Sequence, residues 1–350
     1  MNDSDLESMH DSHSLFVDLL TIKAPNLEYE KGTKGIVTSA GGSYFPVLII
    51  SILMLRRSGS TLPIEVFLTT PSEYEPLCDS ALPSLNAKCI ILSDLLIDTP
   101  HTFTIKTYQL KIFAMLFSSF EDLLFLDADN FPIYPPEDLF LTEPFTTHHL
   151  VLWPDYWTST ASPYFSTITG LDPAIIRTRP TIEAGQILVS KKHHTKTLLL
   201  AAYYNVYSEY FYRIISQGGP GEGDKDTFAP AALVLNSTFY TVESPPMNLG
   251  IRAAGGSAVV QYDPSNARPF FIHASWWPKL NALKKIETAR KWGSEEKSRE
   301  MFGMDVERVV WGQMVQVACN SWEFGDWGGG NKSLTGVCEQ SRKCFRDVFG

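Results

Sequence analysis

The most constraining stretch of the chain is Asp122-Leu123-Leu124-Phe125-Leu126-Asp127-Ala128-Asp129-Asn130, an apolar run that ends in two aspartates one residue apart. Residues 123–126 are too few for a helix and dense in large apolar side chains, so they read as a buried strand. Buried strands of this kind belong to parallel sheets covered on both faces. In open α/β sheets, ligands gather outside the carboxyl ends of the strands, and Asp127 and Asp129 stand at that end. Two carboxylates there can hold a hard divalent cation, which can bridge the phosphates of a nucleotide. The spacing alone is weak, because Asp-x-Asp arises by chance about once in several hundred positions. The chain also has it at Asp3/Asp5 and Asp224/Asp226. Only the middle pair follows a buried strand, and that context favours metal binding over a plain turn with one capping carboxylate.

The segments around this stretch alternate between strand and helix. Gly35-Ile36-Val37-Thr38-Ser39 is a short strand followed by Ala40-Gly41-Gly42, and residues 43–57 form an apolar helix with Pro46 in its first turn. Residues 62–68 and 88–92 give two further strands. Residues 108–120 give a helix apolar on nearly every side, hence buried. This order implies right-handed βαβ units and a parallel sheet. Gly41-Gly42 is a weak phosphate or base contact signal, since the full Gly-x-Gly-x-x-Gly pattern is absent. A tight turn explains it about as well. With Gly41, Thr38 and Lys111 complete the candidate nucleotide contacts of this half.

The second half is less regular. Residues 149–153 and 182–190 read as strands, and 193–212 as one helix with a stripe of tyrosines taken as packing. Gln217-Gly218-Gly219-Pro220-Gly221-Glu222-Gly223-Asp224-Lys225-Asp226 follows, its glycines permitting close backbone approach. Asp224 is expected to cap the next helix, with Asp226 inside its first turn. Pro269-Phe270-Phe271-Ile272-His273 repeats the logic of the organising stretch, an apolar strand ending in a metal-competent side chain, with Lys279 six residues on. Residues 1 to about 30 read as a polar lead-in with one short helix near 15–20, and the tail from about Leu280 as helical to Ala318 and irregular beyond.

Composition limits the function classes. Apolar content of 44% and charged content of 19% are those of a folded globular protein. A net charge of -10 argues against general nucleic-acid binding. An anionic ligand must therefore be held by local Lys, Arg or metal. The five cysteines contain no Cys-x-x-Cys pair, which argues against a zinc ribbon. Three fall from Cys319 onward, as suits a disulfide-tied tail in an oxidising compartment with one thiol left over. Three Asn-x-Ser/Thr triplets, at Asn2, Asn236 and Asn331, permit a secretory location. The acidic, Ser-rich start has no signal-peptide core, and the longest apolar run, 44–55, is too short to span a bilayer. As written, the chain is expected to be soluble.

The blocks quoted so far resemble a known family. Gly35-Ile36-Val37 through Leu62-Pro63-Ile64-Glu65, then Ser119-Phe120-Glu121 to Leu126-Asp127-Ala128-Asp129-Asn130, resemble the fungal Golgi α-mannosyltransferases of the Mnn type. Glu183-Ala184-Gly185-Gln186, Gly223-Asp224-Lys225-Asp226-Thr227-Phe228 and His273-Ala274-Ser275-Trp276 match that family's later blocks in the same order. The resemblance covers roughly residues 33–290. It implies an α/β fold of the GT-A type, a Rossmann-like mixed sheet flanked by helices. The nucleotide-sugar half would be about 33–135 and the acceptor half about 136–290, with a lead-in over 1–32 and a helical, Cys-containing tail over 291–350. It further implies a GDP-mannose donor, Mn²⁺ (or Mg²⁺), and transfer of mannose to a mannose of a glycoprotein glycan with an α-1,2 or α-1,3 linkage. Asp127 and Asp129 would form the metal and nucleotide-sugar motif, His273 a third metal ligand and Lys279 a diphosphate contact. Family members are type II membrane proteins of the Golgi lumen, and this sequence displays no such anchor.

The chemistry expected from these residues is a cation clamping the diphosphate while the glycosidic bond breaks. Lys279 would share the charge. GDP-mannose is α-linked, so an α-mannoside product means retention. Asp226 and Glu183 are the candidates nearest the anomeric carbon, and with Asp224 they are candidates for binding sugar hydroxyls or acceptor. Two rivals use the same residues. A haloacid-type phosphohydrolase needs its nucleophilic Asp after the first strand, whereas Asp127 follows about the fourth. A sugar-binding protein derived from a transferase would bind the donor without turnover.

Overall fold

The computed structural model describes residues 2–97, 105, 108–250, 258–265, 268–274, 289–320, 322, 324 and 336–350. The strands are β1 (Glu30–Ser39), β2 (Ile64–Leu68), β3 (Ala87–Ile91), β4 (Phe120–Leu126), β5 (Asn130–Pro132), β6 (Leu150–Thr158), β7 (Pro180–Ser190), β8 (Tyr240–Thr241), β9 (Met247–Leu249), β10 (Ala258–Tyr262) and β11 (Pro269–His273). Seven of them form a mixed sheet in the order β3-β2-β1-β4-β7-β6-β8. The pairs β2/β3, β1/β4 and β6/β8 are parallel and β6/β7 is antiparallel. The class is α/β, as expected, with the parallel pairing of the first half giving way to an antiparallel pair in the second. A separate antiparallel sheet has the order β5-β11-β10-β9.

The chain divides into two compact units, each drawn from three segments. One comprises Met1–Val37, Leu95–Phe125 and Phe140–Pro245; the other comprises Thr38–Asp94, Leu126–Leu139 and Pro246–Gly350.

In the first unit, the expected polar lead-in is a 21-residue helix, Asp3–Lys23. A capping box starts it. Asn2 Oδ1 accepts the Asp5 N–H at 2.8 Å, and Asp5 Oδ2 faces the Asn2 N–H at 3.4 Å. The helix docks through a stripe at helical spacing, with His13 and Leu20 buried and Phe16 stacked on Tyr203 at 4.6 Å. His13 Nε2 lies 3.0 Å from Tyr204 Oη. The tyrosine stripe is packing, as expected, but its helix is two, Lys191–Val206 and Ser208–Ser216. At Gly35 a Cβ would fall 2.2 Å from the Phe120 ring, so the ring packs over β1 at a position that has no side chain.

In the second unit, the Phe45–Arg57 helix buries ten of its thirteen residues. Arg56 at its end donates to the carbonyls of Leu85, Ser60 and Leu62 at 2.9, 3.0 and 2.7 Å. Those bonds satisfy chain turns that lack ladder partners of their own. Cys78 is bonded to Cys89 and Cys319 to Cys338, leaving Cys344 as the free thiol. The expected irregular tail instead contains a helix, Val337–Phe349, which the second disulfide ties to the Val306–Cys319 helix.

Candidate metal centre

The site is built where β4 ends. After Leu126 the chain turns, with the Asn130 N–H donating to the Asp127 carbonyl at 2.9 Å. Two further bonds hold this turn. Ser51, a hydroxyl inside an otherwise apolar helix, donates to the Ala128 carbonyl at 2.7 Å. The Ala274 N–H donates to the Asp129 carbonyl at 2.8 Å. The chain then enters β5, which pairs antiparallel with β11 so that Asn130 stands opposite His273. Register alone thus delivers His273 to the aspartates from 144 residues further along the chain.

His273 Nε2 lies 3.1 Å from Asp129 Oδ1 and 3.8 Å from Asp127 Oδ2. Asp129 and His273 are buried, while Asp127 is half-exposed. One ligand atom from each of the three lies within 4.8 Å of the others, the only such His/Cys/Asp/Glu group among the described residues. Two carboxylates with one imidazole, open to solvent on the Asp127 side, form a donor set that fits Mn²⁺ or Mg²⁺ with room for ligand oxygens. It lacks the sulfur ligands of a structural zinc site. The three expected metal ligands are therefore brought together. Lys279 lies outside the described residues.

Thr38 and Gly41 belong to the same unit. Thr38 is buried, and its Oγ1 has no hydrogen-bond partner among the described residues. Gly41 lies against the Glu73 carboxylate.

The remaining candidates cluster in the other unit. Lys111, on the Gln109–Phe117 helix, donates to the Ala184 carbonyl at 2.7 Å and pairs with Asp224 Oδ2 at 3.1 Å. Asp224 does not cap a helix. It opens the 3-10 turn Asp224–Thr227 behind Gly223, with no side-chain cap bond, and its carboxylate serves Lys111 instead. Lys225 donates to Asp155 Oδ2 at 2.6 Å. Asp226 is buried and accepts the Ile182 N–H at 3.1 Å and the Ser216 hydroxyl at 3.3 Å. Burial pushes its carboxyl above the usual carboxylate range, against the opposing pull of Lys225. Glu183, on β7, accepts the Gly185 N–H at 2.9 Å. Sequence reasoning missed the Lys111–Asp224 and Lys225–Asp155 pairs. The available signal was a lysine inside a wholly apolar helix, which must find an acceptor when that helix is buried.

Comparison with known proteins bears on most of the chain. Residues 33–180 and 176–257 match the family model described as "Mannosyltransferase putative". Alpha-1,2-mannosyltransferase MNN24 of Candida albicans is 39% identical over 311 residues, covering 75% of this chain and 43% of the relative. Alpha-1,2-mannosyltransferase MNN2 of Saccharomyces cerevisiae is 36% identical over 282 residues, covering 70% and 47%. The chain thus spans about half the length of the curated relatives it matches. Among solved structures, the glycosyltransferase GlyE of Streptococcus pneumoniae TIGR4 aligns with a TM-score of 0.38 and 14% identity, over 60% of this chain and 45% of that one.

Proposed function

This chain belongs to the mannosyltransferase family that its sequence matches, and from that premise we propose that it transfers mannose from GDP-mannose to a mannose of a glycoprotein glycan. The names of its relatives favour an α-1,2 linkage. The observation that carries the reading is the Asp127/Asp129/His273 group, three convergent metal ligands at the carboxyl end of a sheet strand.

Asp127 and Asp129 would supply carboxylate oxygens and His273 an imidazole nitrogen to Mn²⁺ (or Mg²⁺). The cation, when bound, neutralises charge on the departing diphosphate and orients it. Burial of Asp129 and His273, and the hold of Ser51 and Ala274 on the turn, fix the ligand positions before donor arrives. In the transfer, the bond from the mannose anomeric carbon to the diphosphate oxygen breaks and one to the acceptor hydroxyl oxygen forms. The acceptor proton departs with the phosphate or to a carboxylate. An α-linked donor and an α-linked product make the reaction retaining. Asp226 and Glu183 are the carboxylates we assign to the acceptor. The compartment we assign is the Golgi lumen, with anchoring as a type II membrane protein after the family. Two disulfides support an oxidising environment. Among the described residues no helix is long and apolar enough to cross a membrane.

The test incubates the chain with GDP-mannose, Mn²⁺ and an α-mannoside, and reads the product linkage by NMR. Transfer with Mn²⁺ that stops with EDTA is expected. Asp129→Ala should abolish it while leaving the metal-free melting temperature little changed. The variant should also lose the metal-dependent stabilisation, about 2.7 kcal/mol at a hundredfold excess of metal over its Kd. Normal turnover by Asp129→Ala would sink the assignment.

A further inference from the structure

We propose that the loops following β1 and β2 form the base-reading end of the donor site, and that Glu73 selects guanine there; the inference rests on the nucleotide-sugar reading above. The two loops lie together, since the Ala40 N–H donates to the Phe67 carbonyl at 3.2 Å. In the β1/β4 register Val37 pairs with Phe125. Thr38 is therefore level with Leu126, one residue before Asp127. The loop after β1 and the cation ligands thus share one end of the sheet.

Three observations mark this end as built to receive a ligand. Glu73 Oε2 accepts the Thr69 N–H at 2.6 Å, which fixes the carboxylate and leaves Oε1 with no bond among the described residues. The carboxylate lies on the backbone of Gly41. A Cβ at that position would fall 2.9 Å from Glu73 Cδ and 3.0 and 3.2 Å from its two oxygens. The φ of Gly41, 179°, is open to any residue, so a Cβ there would act only by displacing the Glu73 carboxylate from its place. Finally, Thr38 is 2% exposed and its buried hydroxyl lacks a partner among the described residues. A buried polar group in that state costs about 1–3 kcal/mol, a cost that a bound polar ligand would remove.

A carboxylate is acceptor-only and can take two parallel N–H bonds. Guanine alone among the common bases offers two adjacent donors on its pairing edge, the ring N1–H and the exocyclic amine. Uracil offers one N–H between two carbonyl oxygens that a carboxylate repels. Adenine and cytosine set an amine beside a bare ring nitrogen. An oxygen already serving Thr69 keeps a second lone pair, so both oxygens remain usable.

The experiment titrates the full chain, in Mn²⁺, with GDP and with UDP, and compares the ratio of the two affinities between variants. Glu73→Gln keeps an oxygen for the Thr69 N–H but replaces the second acceptor with a donor. Its GDP affinity should fall about tenfold to a hundredfold, the loss expected of a charged hydrogen bond, with UDP affinity equal to wild type or higher, since the repulsion of uracil's carbonyl oxygens is removed. Gly41→Ala, which pushes the carboxylate aside, should shift the ratio in the same direction. Asp129→Ala should weaken both nucleotides alike and leave the ratio as it was. A Glu73→Gln ratio equal to wild type overturns the assignment of Glu73 while EDTA-sensitive GDP binding keeps the donor reading intact. Wild-type binding of UDP as tight as GDP, or of neither, overturns this inference and the GDP-mannose donor together.

Discussion

Lys111 is the residue on which the sequence reading and the structure make different physical demands. As a nucleotide contact it would be a solvated cation awaiting a phosphate. In the structure its side chain is only 10% exposed, its Nζ is 3.1 Å from Asp224 Oδ2 and 2.7 Å from the Ala184 carbonyl, and it lies 5.2 Å from the Phe125 ring centroid. Asp224 is as deeply placed, at 8%. Lys111→Met keeps the aliphatic volume but leaves a carboxylate buried without its cation. Breaking a buried pair from one side costs about 3–5 kcal/mol. At about 2.1 cal/mol/K of unfolding entropy per residue, a chain of 350 residues melting as one would lose roughly 4–7 °C. Asp224→Asn should cost a comparable amount, since it strands the ammonium. The double variant should lose far less than the sum, because both charges then leave together. Urea unfolding followed by circular dichroism on the wild type, two singles and the double gives the coupling directly. GDP affinity measured on the same samples separates the roles. Singles within about 1 kcal/mol of wild type, or an additive double, would refute the structural role. A large loss of GDP affinity at unchanged stability would return Lys111 to the nucleotide.

Two other outcomes follow from buried or reactive groups. Burial, with His10 nearby, lowers the His13 imidazole from its ordinary pKa of 6.5 to about 4. A depressed histidine favours the neutral folded form, so its contribution is complete above pH 6.5 and is lost as pH falls from 6.5 toward 4. At about 1.4 kcal/mol per pKa unit the swing is roughly 3 kcal/mol, and His13→Phe, which keeps the ring against Tyr204, should flatten that part of the stability profile. Alkylation of the native chain should label one thiol, Cys344, and alkylation after reduction and unfolding all five, counted by mass. Two or more labelled native thiols would contradict the disulfide assignment.

What could be read from the sequence depended on whether the signal was local. The strands at 64–68, 87–91, 120–126 and 269–273 are short apolar runs with hard boundaries, and each was legible within a few residues. The Asp3–Lys23 helix was not. Its docking stripe includes His13, and its Asn2/Asp5 capping box coincides with a glycosylation triplet that suggested another use. The helix at Val337–Phe349 was hidden because its anchoring depends on the Cys319–Cys338 bond, and pairing cannot be read from spacing. At the candidate metal centre, both aspartates and the histidine were legible as candidate ligands because each stands at or just beyond the end of an apolar strand. Their meeting was expected only through the family resemblance, because the β5/β11 register that produces it cannot be read from the residues themselves. The Lys111–Asp224 pair lay further out of reach, joining a helix to a glycine-rich turn in a unit assembled from three separated stretches of chain.

That β5/β11 pairing has a consequence for how such a chain can vary. The distance between Asp129 and His273 is set by three rungs of a ladder, with Asn130, Phe131 and Pro132 opposite His273, Ile272 and Phe271. It does not depend on the number of residues in the excursion between them. Insertions or exchanges in that excursion can remodel whatever it recognises while the ligand cluster stays as it is. A single-residue deletion inside 269–273 would instead rotate the histidine to the opposite face of its strand and dissolve the cluster. Tolerance to length change should therefore be broad in the loops that join the strands and helices of the excursion, and nil within the ladder of β5, β11 and β10 that closes it.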